Sequence, residues 1–231
     1  MAEESSDNSI GSLSEKLIHR ALKYYFEPDP EKHEVEYKGY VCDIKNERGI
    51  TEIQSRSFER LSQKLKAFLE DERVTVVYPI VSESNIFWVD PESGEAEPPR
   101  RGSKKGRASD VLYELSRIEK YLSSERFTLR LVFLTADDYR LLDGYGPNRK
   151  KRATKVDRIP RELVEIREYR GLEALSHLIP DTLPETFTAR DFSRATALRG
   201  RKASFSLSFC QRVGFIERVG KQANAFIYKR V

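Results

Sequence analysis

Apolar residues recur along the chain with two periods, and each period predicts a different kind of element. From Ser12 to Tyr25 they return every three or four residues, which is typical of an amphipathic helix. Pro28 indicates that this helix ends before it. His33–Tyr37 has the character of a short strand, and two further strand-like segments lie within residues 38–56. The first quarter of the chain is therefore predicted to form a helix, a strand and a β-hairpin.

The hairpin places two carboxylates opposite each other. If Asn46 and Gly49 close its turn, the numbers of opposed residues sum to 95, and Asp43 lies across from Glu52. Gln54 follows on the same face, because strand side chains alternate with period two. The other face carries apolar side chains and is predicted to face the core: Cys42, Ile44 and Ile53.

Two carboxylates this close repel each other unless a cation lies between them. Oxygen ligands of this kind suit a hard divalent ion. The hairpin therefore predicts a site for Mg²⁺ or Mn²⁺, held by Asp43 and Glu52.

The pattern beyond the hairpin predicts an α/β core. Ser55 or Ser57 is expected to cap a second helix, and an apolar strand follows it. The buried face of that helix is predicted to contain Phe58, Leu61, Leu65, Phe68 and Leu69. The further elements expected are strands over 74–80 and 86–89, a helix from Ser109 or Asp110 to about Leu122, a strand over 127–134 and a short helix capped by Thr135, with 156–170 undecided between helix and strand.

Composition adds limits to this picture. No apolar run is long enough to span a bilayer, and no apolar stretch follows Met1 as a signal peptide requires, so no membrane partner is expected. Cys42 and Cys210 are too few and too far apart in sequence for a disulfide framework, and a reducing cytoplasm is the expected location. The segment 1–11 is small and polar and is expected to be disordered.

The net charge of +4 is distributed unevenly. From Glu185 to the end there are ten Lys or Arg residues and three Asp or Glu residues, a balance of +7, which leaves −3 for the rest. Two prolines, Pro180 and Pro184, indicate a linker before this basic end. We therefore expect a domain over 12–178 and a small basic domain over 179–231, here called the C-terminal segment.

The C-terminal segment resembles a winged helix-turn-helix domain. Thr188 and Asp191 make an N-terminal capping pattern, a second helix runs from about Arg201 to Val213, and two short strands follow. The resemblance implies that the second helix and the strand turn meet DNA. The donors expected there are Arg199, Arg201, Lys202, Ser204, Ser208, Arg212 and Lys221.

The central hairpin resembles the core of the PD-(D/E)XK nuclease superfamily, the fold of restriction endonucleases. The likeness covers roughly residues 12–80 and rests on Asp43 followed by Glu52-Ile53-Gln54 on the next strand. It implies a mixed sheet flanked by helices, with Mg²⁺ on Asp43 and Glu52. The third position, commonly lysine, is Gln54 here, as in the Glu-x-Gln members, and it would position the attacking water. In this superfamily a glutamate on the preceding helix often faces the metal, which implies a role for Glu15.

The resulting hypothesis is a Mg²⁺-dependent DNA endonuclease targeted by its C-terminal segment. The cation missing at Gln54 is expected from Lys64, Arg60 or Arg56, and two basic loops, 98–107 and 149–155, are candidates for phosphate contacts. The alternatives are a non-catalytic DNA-binding regulator that keeps a nuclease-like scaffold, and an RNA nuclease. Whether the chain acts as a monomer or a homodimer stays open.

Overall fold

The structure, a computed structural model, describes residues 10–55, 57–103, 105–144 and 153–231, with side chains from residue 17 onward within those ranges. Several predictions concern parts of the chain outside the described residues. These are residues 1–9 of the N-terminal segment, the side chain of Glu15, Arg56, and most of the second basic loop.

Within the described ranges the fold is α/β, as predicted. The α-helices are α1 (Ile10–Phe26), α2 (Leu61–Phe68), α3 (Leu112–Leu115), α4 (Gly171–Leu175), α5 (Ala189–Thr196) and α6 (Gly200–Arg212). The strands are β1 (His33–Tyr37), β2 (Tyr40–Asn46), β3 (Gly49–Ile53), β4 (Val74–Val89), β5 (Arg100–Arg101), β6 (Phe127–Leu141), β7 (Thr154–Arg170), β8 (Thr186–Thr188), β9 (Ile216–Gln222) and β10 (Ala225–Arg230). Short 3-10 helices cover Pro30–Lys32, Ala108–Val111, Glu119–Tyr121 and Ser176–Leu178.

The strands form two sheets. The larger sheet is mixed, with the order β1-β2-β3-β4-β6-β7 and β5 paired to β4. Its first three strands are antiparallel, whereas β3 and β4 run parallel because α2 connects them as a crossover. The smaller sheet is antiparallel, in the order β8-β10-β9.

The chain divides into two compact units. One is made of Met1–Pro30, Pro79–Gly106 and Val132–Ile166, and the other of Glu31–Tyr78, Arg107–Leu131 and Arg167–Val231. Strands β4, β6 and β7 contribute residues to both. The second unit contains the central hairpin, α2, α3 and the whole C-terminal segment, so every contact of the candidate site below lies inside one unit. The domain boundary at 178/179 stays a prediction.

The apolar face of the hairpin is confirmed as core. Cys42, Ile44 and Ile53 are buried. Helix α2 adds three buried side chains, Leu61, Leu65 and Phe68, and the loop before it adds Phe58. Full burial of one such side chain stabilises the fold by roughly 1.5–3 kcal/mol. Leu69, also predicted as buried, is half-buried.

Gly49 is required by the close approach of the next segment. Its φ is +114°, and Ile50 N donates to Arg73 O at 2.8 Å. A Cβ on Gly49 would collide with that same carbonyl oxygen. Only glycine therefore closes this turn without moving the residues that begin β4.

The start of α2 differs from the prediction. Neither Ser55 nor Ser57 caps it; the N-cap residue is Arg60, without a side-chain cap. The buried carboxylate of Glu114 accepts a hydrogen bond from Phe58 N at 3.1 Å. This bond holds the residues before α2 in an irregular loop, so the helix begins at Leu61.

Two strands are longer than predicted. β4 is continuous across the polar residues 82–85, and β6 continues through Thr135, where a helix was expected, so both predictions were wrong. The polar side chains have partners on neighbouring strands: Asn85 Nδ2 donates to Asp137 Oδ1 at 3.0 Å, and Arg158 Nη2 donates to Asp138 Oδ2 at 2.9 Å. Because these pairs satisfy the polar groups, the strands do not need to end there.

Two other regions are corrected or resolved. The helix expected over 109–122 is broken into a 3-10 turn, the four-residue α3 and a second 3-10 turn. Residues 156–170, undecided from the sequence, belong to strand β7.

The elements of the C-terminal segment follow the predicted order. Asp191 N donates to Thr188 Oγ1 at 3.3 Å, and Thr188 N donates to Asp191 Oδ2 at 3.0 Å, which is the predicted capping box of α5. The inner face of α6 is buried at Ala203, Leu207 and Cys210. No helix in the described ranges has the length and apolar character needed to cross a bilayer.

Candidate functional site

The register of the central hairpin is the one predicted. Asn46 pairs with Gly49, Lys45 with Ile50 and Ile44 with Thr51, so the paired numbers sum to 95. The next positions in this register are Asp43 and Glu52. The Asp43 carboxylate turns back toward the partner strand, where Oδ2 accepts a hydrogen bond from Ile53 N at 2.7 Å.

Glu52 is a fully buried carboxylate in the middle of the sheet. Strand β3 pairs with β2 on one side and with β4 on the other, where Glu52 lies beside Val76. An isolated ionised carboxylate in such a place would be strongly destabilising. A cationic partner is therefore expected, and the fold supplies one.

Lys64 supplies that cation from α2. Its Nζ lies 2.9 Å from Glu52 Oε2 and 3.0 Å from Glu52 Oε1, and it also donates to Val41 O at 2.6 Å. The side chain of Lys64 keeps about a quarter of its surface exposed. Of the two described cations proposed to replace the missing lysine, Lys64 and Arg60, Lys64 is the one that contacts Glu52. Arg60 is exposed at the N-cap position of α2, and Arg56 lies outside the described residues.

The two carboxylates influence each other. Burial and, second, the nearby charge of Asp43 raise the pKa of Glu52, the hydrogen bond and charge of Lys64 lower it, and the net result is a pKa of about 7. The Cys42 thiol beside them is not activated, since burial raises its pKa to about 11. The site therefore contains two nearby carboxyl groups, and the cation that compensates Glu52 is partly solvated.

Gln54 lies at the end of β3, two residues after Glu52. Its backbone N donates to Val77 O at 2.9 Å, which extends the parallel pairing by one residue, and its side chain is half-exposed. Gln54 thus follows Glu52 on the same face by strand alternation, and its part in the site stays a prediction. The structure gives no position for the Glu15 side chain, so its predicted part in the site remains a prediction.

The donor set fits a Mg²⁺-type ion. The described residues contain no group of three or more His, Cys, Asp or Glu side chains arranged around one point. Mg²⁺, however, is commonly held by one or two protein carboxylates, with waters and substrate phosphates completing its shell. Asp43 and Glu52 meet that requirement, on the condition that Lys64 moves away from Glu52.

The donors predicted to contact DNA at α6 are exposed, but some of them already have partners within the protein. Arg199, Arg201, Lys202, Ser204 and Ser208 are exposed. Arg212, by contrast, holds Glu119 with Nη2 at 2.7 Å and Nε at 3.1 Å from Oε2. Lys202 Nζ lies 5.3 Å from the centre of the Tyr113 ring. Tyr113 of α3 therefore lies near the N-terminal half of α6, and Glu119 holds its C-terminal end. Among the described residues, the exposed donors without an ion pair include Arg199 and Arg201.

The first basic loop is partly neutralised. Arg101 and Lys105 both approach Glu83, with N–O distances of 2.5 and 3.8 Å, and Arg100 lies 3.9 Å from Glu97. The phosphate contacts expected of this loop stay a prediction. The second basic loop lies mostly outside the described residues.

Sequence reasoning missed several residues around the site. The buried Glu114 holds the loop before α2, and Phe205 and Phe226 are exposed aromatic side chains in the C-terminal segment. For Phe205 the sequence signal was an apolar residue between two serines, whereas Glu114 and Phe226 carried no such signal.

Comparisons with known proteins identify the family to which this chain belongs. A family described as "Domain of unknown function (DUF8091)" matches residues 16–170. A protein of Treponema pallidum (strain Nichols), described as "Uncharacterized protein", is 30% identical over 223 residues, which cover 96% of this chain and 88% of the relative. No solved structure matches the chain. The family match spans more than half of the sequence and includes the whole central hairpin and α2, so the chain belongs to the DUF8091 family.

Proposed function

We propose that the protein is a metal-dependent endonuclease that hydrolyses phosphodiester bonds in DNA. The observation that carries this proposal is the cluster of Asp43, Glu52 and Lys64. Two carboxylates lie close together on a hairpin, and one of them, Glu52, is bound to the partly exposed ammonium group of Lys64. A metal ion could replace that ammonium at Glu52.

In this proposal Asp43 and Glu52 hold Mg²⁺ or Mn²⁺. A bound divalent ion lowers the pKa of a coordinated water and neutralises charge that develops on the phosphate. In the metal-free protein Lys64 is the counter-ion of Glu52. Once released, its ammonium lies beside the site and supplies the positive charge that Gln54 lacks.

Gln54 has a different part. An amide has no charge with which to stabilise an anion, but it can donate and accept hydrogen bonds at the same time. We assign Gln54 to orienting the attacking water, with Lys64 as the electrostatic partner of the phosphate. Glu15 is retained as a candidate third ligand.

The C-terminal segment is proposed to be a winged helix-turn-helix domain that binds DNA. Two helices followed by an antiparallel hairpin, with β8 completing a three-stranded sheet, support this assignment. The charge balance of +7 and the exposed N-terminal half of α6 support a phosphate surface. The family match ends at residue 170, before this segment.

Metal binding is the direct test of the site. Glu52→Gln and Asp43→Asn each remove one ligand charge while keeping the side-chain volume, so each is expected to abolish Mn²⁺ binding in isothermal titration calorimetry. Glu47→Gln is the matched control, since Glu47 is an exposed carboxylate on the same hairpin, paired only with Lys32 at 3.1 Å. Unchanged Mn²⁺ binding in both site variants would refute the assignment.

The salt dependence of DNA affinity tests the C-terminal segment. Replacing Arg199 and Arg201 together by alanine is expected to weaken duplex binding and to reduce the slope of log affinity against log salt by about 0.9 per lost phosphate contact. Arg212→Ala should leave the slope unchanged, because that guanidinium is held by Glu119. An unchanged slope in the double variant, measured by fluorescence anisotropy, would contradict the assigned surface.

A second candidate function is a non-catalytic DNA-binding regulator on a nuclease-like scaffold. It is favoured by one observation, that Lys64 contacts both oxygens of Glu52 and so neutralises the ligand that a metal needs. Absence of cleavage of any DNA or RNA with Mg²⁺ or Mn²⁺, together with normal DNA binding, would establish it. Cleavage of RNA but not DNA would instead identify an RNA nuclease.

A further inference from the structure

The hairpin formed by β9 and β10 presents a phenylalanine to solvent. Phe226 is 43% exposed and lies directly across the strand pair from Lys221. The guanidinium of Arg218 lies 4.2 Å from the centre of the ring, and the ammonium of Lys221 lies 5.9 Å from it. One exposed aromatic ring thus lies close to two cations near the turn of the hairpin.

The Phe226 ring is not part of the hydrophobic core, as its neighbours on β10 show. Tyr228 lies two residues further along β10, on the same face by the period-two rule, and it stacks on Phe187 with 6.0 Å between ring centres. Tyr228 and Phe187 are buried. The aromatic face of β10 therefore begins in the core and continues past it into solvent at Phe226.

The cations near the ring also differ from the other cations of the hairpin. Lys229 is paired with Glu185 and Arg230 with Asp181, at 3.3 Å in each case. Within the ranges that the structure describes, Arg218 and Lys221 form no ion pair. Their charges are therefore available to an anionic ligand that also offers a flat apolar surface to Phe226.

We propose that this hairpin binds an unpaired nucleotide, with Phe226 stacked on the base and Arg218 and Lys221 on the adjoining phosphates. This inference rests on the proposed function and names its substrate class: DNA with a single-stranded part, such as an overhang, flap or gap. Aromatic side chains and cations together are the usual means of holding single-stranded nucleic acid.

Single-stranded DNA explains the exposed position of Phe226 better than an intact duplex does. The base faces of a duplex are covered by neighbouring base pairs, and its phosphates can be held by Arg218 and Lys221 without an aromatic ring. The arrangement recurs on α6, where Phe205 is 46% exposed and the guanidinium of Arg201 lies 5.3 Å from its ring centre. In the described part of the chain no other phenylalanine is exposed.

The test uses the full-length chain in EDTA, so that no DNA is cleaved. Binding is measured by fluorescence anisotropy on a blunt duplex and on the same duplex with a single-stranded overhang. The wild type is expected to bind the overhang duplex about tenfold more tightly, the size of one base stack. Phe226→Ala should lose that preference and leave the affinity for the blunt duplex unchanged, whereas Phe226→Trp should keep the preference.

Two controls separate stacking from other effects. Val219→Ala removes an apolar side chain that is 49% exposed on the same hairpin, and it should leave the preference intact. A 2-aminopurine at the first unpaired position should change its fluorescence on binding to the wild type and not on binding to Phe226→Ala. The melting temperature of each variant shows whether the hairpin is intact.

Two results would overturn the inference. One is a Phe226→Ala variant that keeps the preference for the overhang, and the other is a wild type that shows no preference. Either result leaves the proposed nuclease function standing. Conversely, a preserved preference in a protein that neither binds Mn²⁺ nor cleaves would refute the nuclease proposal and leave this inference standing.

Discussion

Lys64→Met is expected to lower the free energy of unfolding by up to about 2 kcal/mol at pH 8.5, because the Glu52 carboxyl loses its cation and must bind a proton, which costs about 1.4 kcal/mol per pH unit above its pKa of about 7. Glu52 is fully buried, and both of its carboxylate oxygens lie within 3.0 Å of Lys64 Nζ. Methionine keeps the length and apolar stem of the side chain, so the loss measures the missing charge rather than a cavity. Chemical denaturation at equilibrium in EDTA gives the measurement.

The double variant identifies the origin of this loss. Adding Glu52→Gln to Lys64→Met removes the uncompensated carboxylate and is expected to restore most of the stability. Lys66→Met is the control, since Lys66 is an exposed lysine on the same helix. A Lys64→Met variant as stable as the wild type at pH 8.5 would show that the pair contributes nothing to folding.

The pH dependence of the metal-free protein follows from the same carboxylate. The pKa of Glu52 is raised from 4.5 to about 7 in the folded state, so the folded protein binds its proton more tightly than the unfolded chain. The stability that the protonated Glu52 contributes to the folded state is fully present below pH 4.5 and is lost as pH rises through 7. At about 1.4 kcal/mol per pH unit the change amounts to roughly 3 kcal/mol. For the same reason the cost of Lys64→Met should nearly vanish at pH 5, where Glu52 is protonated in both proteins.

The hairpin at the site could be predicted because each of its constraints is local. The turn residues Asn46 and Gly49 determine the register, and the register determines that Asp43 faces Glu52. The buried face of α2 followed from helical spacing for a similar reason. The identity of the cation did not follow, because Lys64, Arg60 and Arg56 are all near in sequence and only the docking of α2 decides which one reaches Glu52.

The longer-range features could not be predicted from spacing. Asp138 interrupts the apolar pattern of β6, and its burial beneath Arg158 depends on a strand that lies twenty residues away in the sequence. The start of α2 depends on Glu114, which is fifty-six residues from Phe58. The pairing of Arg212 with Glu119 joins two elements that sequence reasoning treated as separate domains. In each case the sequence alone indicated that a polar residue lay on the surface or ended an element. Its distant partner became known only from the structure.

The largest effect on activity is expected from Asp43→Asn, which should lower the rate of DNA cleavage by about a thousandfold or more. Asp43 is the carboxylate that remains accessible in the metal-free site, since Glu52 is fully buried behind Lys64 while Asp43 is only half-buried. Asparagine keeps an oxygen that can accept the hydrogen bond from Ile53 N, so the hairpin should stay intact. Loss of one metal-ligand charge removes several kcal/mol of transition-state stabilisation, and about 4 kcal/mol corresponds to a thousandfold in rate.

Three measurements make this result decisive. Single-turnover cleavage with saturating protein separates the chemical step from DNA binding, and the affinity of Asp43→Asn for DNA in EDTA should equal that of the wild type. Asp71→Asn is the control, because Asp71 is an exposed carboxylate of the same unit, paired with Lys38 at 2.9 Å, and its replacement should leave the rate unchanged. Equal cleavage rates for Asp43→Asn and the wild type would place any nuclease activity elsewhere in the molecule. A rate that falls only in proportion to DNA affinity would make Asp43 a substrate contact instead of a metal ligand.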